Sequence, residues 1–191
     1  YGIVGTDRIV GLFAVAERLG GLRGSAEFAD TVETWPAGIA IAEVEVDAET
    51  GAVTLDRFAA AVDAGRVVNP LLLAGQLHGG FAAGIGQALM EEARYDAEGQ
   101  MLAATLMDYA MPRADTLPDF LHVDVPVPSP NNPLGIKGVG ELPTNGAPAA
   151  VANAVADALA ADGVAHVELP MTAERIWQAL RDARREEEGA S

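Results

Sequence analysis

The sequence predicts an α+β fold, and three observations carry the prediction. Stretches with apolar residues at helical spacing are interleaved, without strict alternation, with shorter stretches that alternate apolar and polar residues. Two β-rich runs in the first third, "GIAIAEVEV" and "AVTLDRFAAAVD", flank the turn signature "DAETG". Three helix-start signatures, Asn69-Pro70, Thr144-Asn145 and Thr172, stand ahead of long runs rich in Ala and Leu.

Taken in order, "TDRIVGLFAVAERLGG" reads as an amphipathic helix. Thr6 or Asp7 suits its cap, Ile9, Leu12, Phe13, Ala16 and Leu19 form its apolar stripe, and Gly20-Gly21 ends it. "GSAEFADTVET" reads as a weak strand, and the two runs around "DAETG" as a hairpin. Asn69 is suited to the N-cap and Pro70 to the first position of a helix reaching about residue 93. That helix carries glycines at 75, 79, 80, 84 and 86. Each costs a helix roughly 1 kcal/mol relative to Ala, so close approach of a neighbouring backbone or of a ligand must offset them. The residues alone leave both open.

Further on, "YDAEGQMLAATLMDYAMP" suggests a turn and an extended segment, and "PDFLHVDVPVPSP" a short strand closed by prolines. "TNGAPAAVANAVADALA" predicts a helix, "GVAHVELP" an edge strand, and "TAERIWQALRDARREEE" a last helix capped by Thr172 with Ile176, Ala179 and Leu180 inward. Residues 186–191 read as a disordered tail of a single domain covering residues 1–191.

Composition narrows the function. Half of the 191 residues are hydrophobic but only 5% are aromatic, so Ala, Val, Leu and Ile must build the core. A net charge of −16 repels phosphate backbones and anionic bilayers, which argues against nucleic acid as a partner and against membrane insertion. Residues 71–90 are long enough to span a bilayer, but Gln76, His78, Gln87 and five glycines oppose that reading. The expectation is a cytoplasmic protein. The chain has no cysteine, which excludes disulfides and thiolate-bound clusters within it, and His78, His122 and His166 are too far apart in sequence to suggest a zinc site. The start, "YGIVGTDRIV", has neither an initiator Met nor a signal-peptide pattern, which reads as a fragment or a processed piece.

The most informative stretch is "GIKGVGELP", Gly135 to Pro143. Gly135, Gly138 and Gly140 free the backbone to turn N–H groups toward a ligand. Lys137 suits a phosphate or a carbonyl. Glu141, beside Val139, Leu142 and Pro143, is either a helix-start acid favoured by the dipole or a partly desolvated base.

In the order "VDAGRVVNPLLLAGQLHGGFAAGIGQALMEEARYD", "DYAMPRA" and "NPLGIKGVGELPTNGAPAAVANAVADAL", the sequence resembles the C-terminal, second molybdopterin-binding part of the molybdenum hydroxylase large subunit. That family comprises xanthine dehydrogenase, aldehyde oxidase and aerobic carbon monoxide dehydrogenase. The resemblance runs from about Phe28 to Leu180. It implies half of a molybdenum hydroxylase large subunit, with Glu141 of the "GVGE" turn as general base beside the metal. Gln76 is implied as a hydrogen-bonding neighbour of the pterin. Asp63 to Asn69 and the turn Lys137, Gly138, Val139, Gly140 are implied to line the pterin or its nucleotide tail, and Gly79 and Gly80 to let backbone approach it.

The resemblance further implies a molybdenum–molybdopterin cofactor, in its cytosine dinucleotide form, with the metal held by the pterin dithiolene and not by side chains. Its implied partners are the N-terminal half of the molybdenum subunit, an iron–sulfur subunit, an FAD subunit and a small-molecule substrate oxidised at carbon with water as the oxygen source. Two positions depart from the pattern: Ala83 stands where Gln is common and Ala64 where Cys is common. A non-catalytic assembly domain and a small-ligand module using the loop as an anion nest are the alternative readings.

Overall fold

The computed structural model describes residues 2, 5–27 and 32–190. They form two compact units, Tyr1–Val32 and Glu33–Ser191, where the sequence suggested one domain. The first unit contains α1, Leu12–Leu19, whose N-cap is Gly11 and not Thr6 or Asp7. Gly20 closes it in the left-handed region, at φ 68°. No residue of α1 is buried, so its apolar stripe faces outward: Phe13 is 88% exposed. Of the expected strand in residues 24–34, Phe28–Thr31 lie outside the described residues, and the remainder is not a strand.

The second unit is built on a three-stranded sheet in the order β1 (Ala37–Val46), β2 (Val53–Asp63), β3 (Phe120–Asp124). β1 and β2 are the expected antiparallel hairpin. Its turn is set by Asp47, whose Oδ1 accepts the Glu49 N–H at 2.8 Å while its backbone O accepts the Gly51 N–H at 2.7 Å. The register shifts by one between Glu43 and Val44, which leaves Asp56 as an extra residue in β2. The bulge changes which parity points inward. Leu55 is buried on one side of it, and Phe58, Ala60 and Val62 on the other.

β3 runs parallel to β2, with Phe58 paired to Phe120 and Val62 to Asp124. A parallel neighbour requires a crossover, and α2 (Pro70–Leu89) lies within it. Leu73, Leu77, Phe81, Ile85 and Ala88 give α2 a buried stripe at helical spacing. α3 (Leu142–Ala160) contributes Ala147, Val151, Val155 and Leu159. α4 (Ala173–Ala190) adds Ile176 and Leu180. Small aliphatic residues dominate this core, as the composition suggests. Its centre nonetheless holds an aromatic group, with Phe58 4.9 Å from Phe81 and 5.8 Å from Phe120 between ring centroids.

Helix α2 can carry its glycines because two of them form the seam with α3. A Cβ on Gly80 would collide with Pro143, and one on Gly84 would lie 2.9 Å from both Ala147 Cβ and Pro148 Cδ. Gly75 and Gly79 have nothing within 4 Å of that position. At the start of α2, Asn69 Oδ1 accepts the Leu72 N–H at 3.2 Å and Pro70 follows it, as expected.

Two other expectations are corrected. "GVAHVELP" is not a strand: its backbone forms no ladder, and it instead covers the core with Val164 and Val167. Residues 186–190, expected as a disordered tail, continue α4, in keeping with the helix propensity of Glu186 to Glu188 and Ala190. No helix among the described residues is long and apolar enough to cross a membrane.

Candidate functional site

The carboxyl end of β2, the start of α2 and the glycine-rich loop converge. Gly65 forms an antiparallel bridge with Ile136, and hydrogen bonds reinforce it: Arg66 N to Gly135 O at 2.8 Å and Lys137 N to Ala64 O at 3.2 Å. Both glycines at this crossing need the left-handed region, with φ 64° at Gly65 and 67° at Gly135. A side chain on Gly65 would also strike the Gly135 carbonyl.

Below the crossing, Lys137 Nζ meets Asp63 Oδ2 at 2.6 Å, and the two side chains are only 11% and 12% exposed. Asp63 Oδ1 accepts the N–H groups of Gly65 and Val127, each at 2.9 Å. Burial by itself pushes the Asp63 carboxyl up. The hydrogen bonds from Lys137, Val127 and Gly65 outweigh it, and the carboxyl lies below its ordinary value.

Above the crossing opens a groove of about 300 Å³ lined by Asn69, Leu72 and Gln76 of the α2 segment, Ile136, Lys137 and Val139 of the loop, and Ala64 through Val68 except Gly65. Asn69, Gln76, Lys137 and Val139 were expected at one site, and the fold brings them together. The Gln76 Oε1 lies 3.9 Å from where a Cβ on Gly140 would be, so the glutamine of α2 faces the end of the loop. Asp63 lies beneath the groove as the partner of Lys137. Gly79 is further along α2 with open space around it, and Gly80 is occupied by the α3 contact. Leu72 and Ile136 were not foreseen. Their signal was weak: Leu72 sits within a run of three leucines, and Ile136 is an aliphatic residue among glycines.

Glu141 directly follows Gly140 and is the N-cap of α3, yet its carboxylate makes no capping hydrogen bond. It is exposed. The desolvation expected from its neighbours is not supplied by them, because Pro143 turns into the core and Val139 and Leu142 pack against it. Nor is the first half of the loop an open anion nest. The N–H groups of Ile136, Lys137 and Gly138 donate to Asn132 Oδ1, Ala64 O and Thr34 Oγ1.

The donor set fits a pterin that brings its own metal ligands. The groove offers an exposed amide at Gln76, an exposed guanidinium at Arg66 and an apolar floor of Ala64, Leu73 and Val139, with Gly140 leaving room that a Cβ would fill. Among the described residues, no group of three or more His, Asp or Glu side chains is placed to hold a metal. Two of the histidines do meet: His78 and His122 have ring centroids 5.5 Å apart, beside Phe120. Neither lines the groove. Ala64 lies within the groove wall, and Ala83 is exposed on α2.

The molybdopterin cofactor-binding domain family matches residues 13–118, more than half of the chain. The gamma subunit of the 6-hydroxypseudooxynicotine dehydrogenase complex of Paenarthrobacter nicotinovorans is 36% identical, over 97% of this chain and 25% of its own. The carbon monoxide dehydrogenase large chain of Hydrogenophaga pseudoflava is 39% identical over 78% of this chain and 19% of its own. The chain thus spans a quarter or less of the length of these relatives. Among solved structures, quinoline 2-oxidoreductase from Pseudomonas putida 86 is 45% identical with a TM-score of 0.70, covering 72% of this chain and 18% of its own. The Cu,Mo-CO dehydrogenase in its carbon monoxide reduced state is 36% identical with a TM-score of 0.75, covering 78% of this chain and 19% of its own. The α+β unit around the groove therefore belongs to the molybdopterin cofactor-binding domain family of the molybdenum hydroxylases.

Proposed function

We propose that this chain supplies one wall of the active site of a molybdenum-dependent oxidoreductase that hydroxylates a small-molecule substrate at carbon, with water as the oxygen source. The observation that supports the proposal is the approach of Gln76, which lines the groove, to Gly140, the residue before Glu141. When bound, the molybdenum–molybdopterin group supplies the two-electron redox chemistry and oxygen transfer. The residues of this chain bind and orient it. Gln76 offers both an N–H₂ donor and a carbonyl acceptor to the pterin edge. Asn69 flanks it at the start of α2, and Val139 and Gly140 flank it from the loop, with the Lys137–Asp63 pair behind.

Glu141 is the general base: its carboxylate takes up the proton that must leave the oxygen before that oxygen attacks carbon. An exposed carboxylate that makes no capping bond to its helix is free to do so once the remaining wall of the site excludes water. That wall is the N-terminal half of the molybdenum subunit. In this reading the cofactor is the cytosine dinucleotide form, with Arg66 and Asn69 of the groove lining available to its nucleotide tail, and electrons would leave through iron–sulfur and FAD subunits.

The partner reading has its own support. The sheet face turned away from the helices carries Ile39 and Ile41 of β1 and Leu121 and Val123 of β3, each at least 55% exposed. They align in register across Ala59 and Ala61 of β2. An apolar face of this kind is normally covered in an assembled protein.

The test is to recover the chain with a tag from its native host, count molybdenum per chain and identify what accompanies it. About one molybdenum per chain together with iron–sulfur and flavin chains is expected. A metal-free chain from cells that make active molybdoenzymes contradicts the proposal.

A further inference from the structure

The loop that carries Gly138 to Glu141 has few contacts of its own with the core. Gly138 and Gly140 are exposed, and Val139 alone of the three packs inward. Its position is set from below, at Asp63. One carboxylate there ties the end of β2 to two segments that are distant from it in sequence. Oδ2 binds Lys137 of the loop, and Oδ1 binds Gly65 at the end of β2 and Val127 in the segment after β3. That segment returns to the same place, since Ser129 N donates to Gly135 O at 3.1 Å. Lys137 then leads through Gly138, held by Thr34, to Gly140 opposite Gln76.

We infer that Asp63 and Lys137 are positioning residues: their nearly buried ion pair fixes the glycine-rich loop, and with it Glu141, before any ligand arrives. The inference rests on the reading of the groove given above but assigns these two residues a different part in it. They act on the loop through each other and not as direct contacts of the cofactor. Three features favour this. The 2.6 Å contact is charge-assisted and shielded from solvent, where such a bond holds geometry best. The remaining lone pairs of Asp63 are directed at backbone N–H groups of its own chain. The Lys137 ammonium, 11% exposed as a side chain, lies on the Asp63 side of the loop.

Hydrogen exchange on the assembled protein, both loaded and stripped of cofactor, tests this directly. Asp63→Asn keeps an acceptor for Gly65 and Val127 while removing the charge, and Lys137→Met removes the other partner. In the stripped protein, each variant is expected to speed exchange in peptides covering residues 125–141 by about tenfold, with the β1–β2 hairpin unchanged. Lys137→Arg, which retains a cation, is expected to restore protection. Wild-type exchange in both variants overturns the inference. So does an effect seen only in the loaded protein, which would make Lys137 a ligand contact, or one spread equally over the hairpin, which would make the pair general support. If Lys137→Met fails to fold, Asp63→Asn decides by the same readout. Should loop exchange behave as expected while the wild-type protein retains no molybdenum, the functional reading fails and the positioning role stands.

Discussion

Gln76 of α2 and Gly140 of the loop face each other with only 3.9 Å between the glutamine oxygen and the point a Cβ on Gly140 would occupy. Such a distance is ordinary van der Waals contact, so an alanine fits the chain without a clash. It would, however, stand in the space through which Gln76 reaches a ligand. Gly140→Ala is therefore expected to leave thermal stability unchanged and to lower molybdenum content per chain by about tenfold, near the lower end of what an added methyl costs a packed site. Elemental analysis beside a melting curve checks both halves.

The glycines of α2 separate by environment. Gly84→Ala places a methyl 2.9 Å from Ala147 Cβ and should destabilise the fold by about 1–3 kcal/mol. Gly75→Ala meets nothing within 4 Å and should stabilise it by about 0.5–1 kcal/mol. Urea midpoints of the two variants, shifted in opposite directions, are the expected result.

Acidification should weaken the Asp63 anchor. Its carboxyl lies below the ordinary value of 3.8 because the bonds from Lys137, Val127 and Gly65 outweigh the effect of burial. A depressed folded value means the stabilisation is present above the unfolded value and is lost as pH falls through the folded one. The stability gap between wild type and Asp63→Asn should stay constant from neutral pH to about pH 5, narrow as pH falls below the unfolded value, and be lost as pH passes below the folded one. A gap that does not narrow on acidification would show that the charge is not its source.

The outer sheet face should matter for assembly and not for folding. Ile39 and Leu121 are 67% and 63% exposed, so Ile39→Glu combined with Leu121→Glu is expected to leave the melting temperature of the chain within a few degrees. Co-purification of the remaining wall of the site should fall severalfold. Undiminished co-purification would place the partner elsewhere.

Much of this was legible in the sequence, for local reasons. Asn69-Pro70 fixes the start of α2 and Asp47 the hairpin turn, because each acts through its immediate neighbours. The motif "GIKGVGELP" pointed to the loop, while Gln76 on the opposite wall was implied only by the family resemblance. What could not be read were the consequences of distant pairing. The Lys137–Asp63 contact joins residues 74 positions apart. The Gly80 and Gly84 contacts depend on where α3 lies. "GVAHVELP" has the alternation of a strand but finds no neighbouring strand to pair with. For Glu141 the sequence left open a helix-start acid or a partly desolvated base; its neighbours turn inward and leave it exposed at the N-cap of α3.

The measurement closest to the central claim is turnover of the assembled, molybdenum-loaded enzyme with Glu141→Gln. The substitution keeps the shape of the side chain and removes its ability to accept a proton. Because the carboxylate makes no capping bond to α3, folding and cofactor content should be unaffected. The expected result is a fall in kcat of about 10²–10⁴-fold at unchanged molybdenum per chain. Wild-type turnover with a full complement of molybdenum would contradict the assignment of Glu141 as the base.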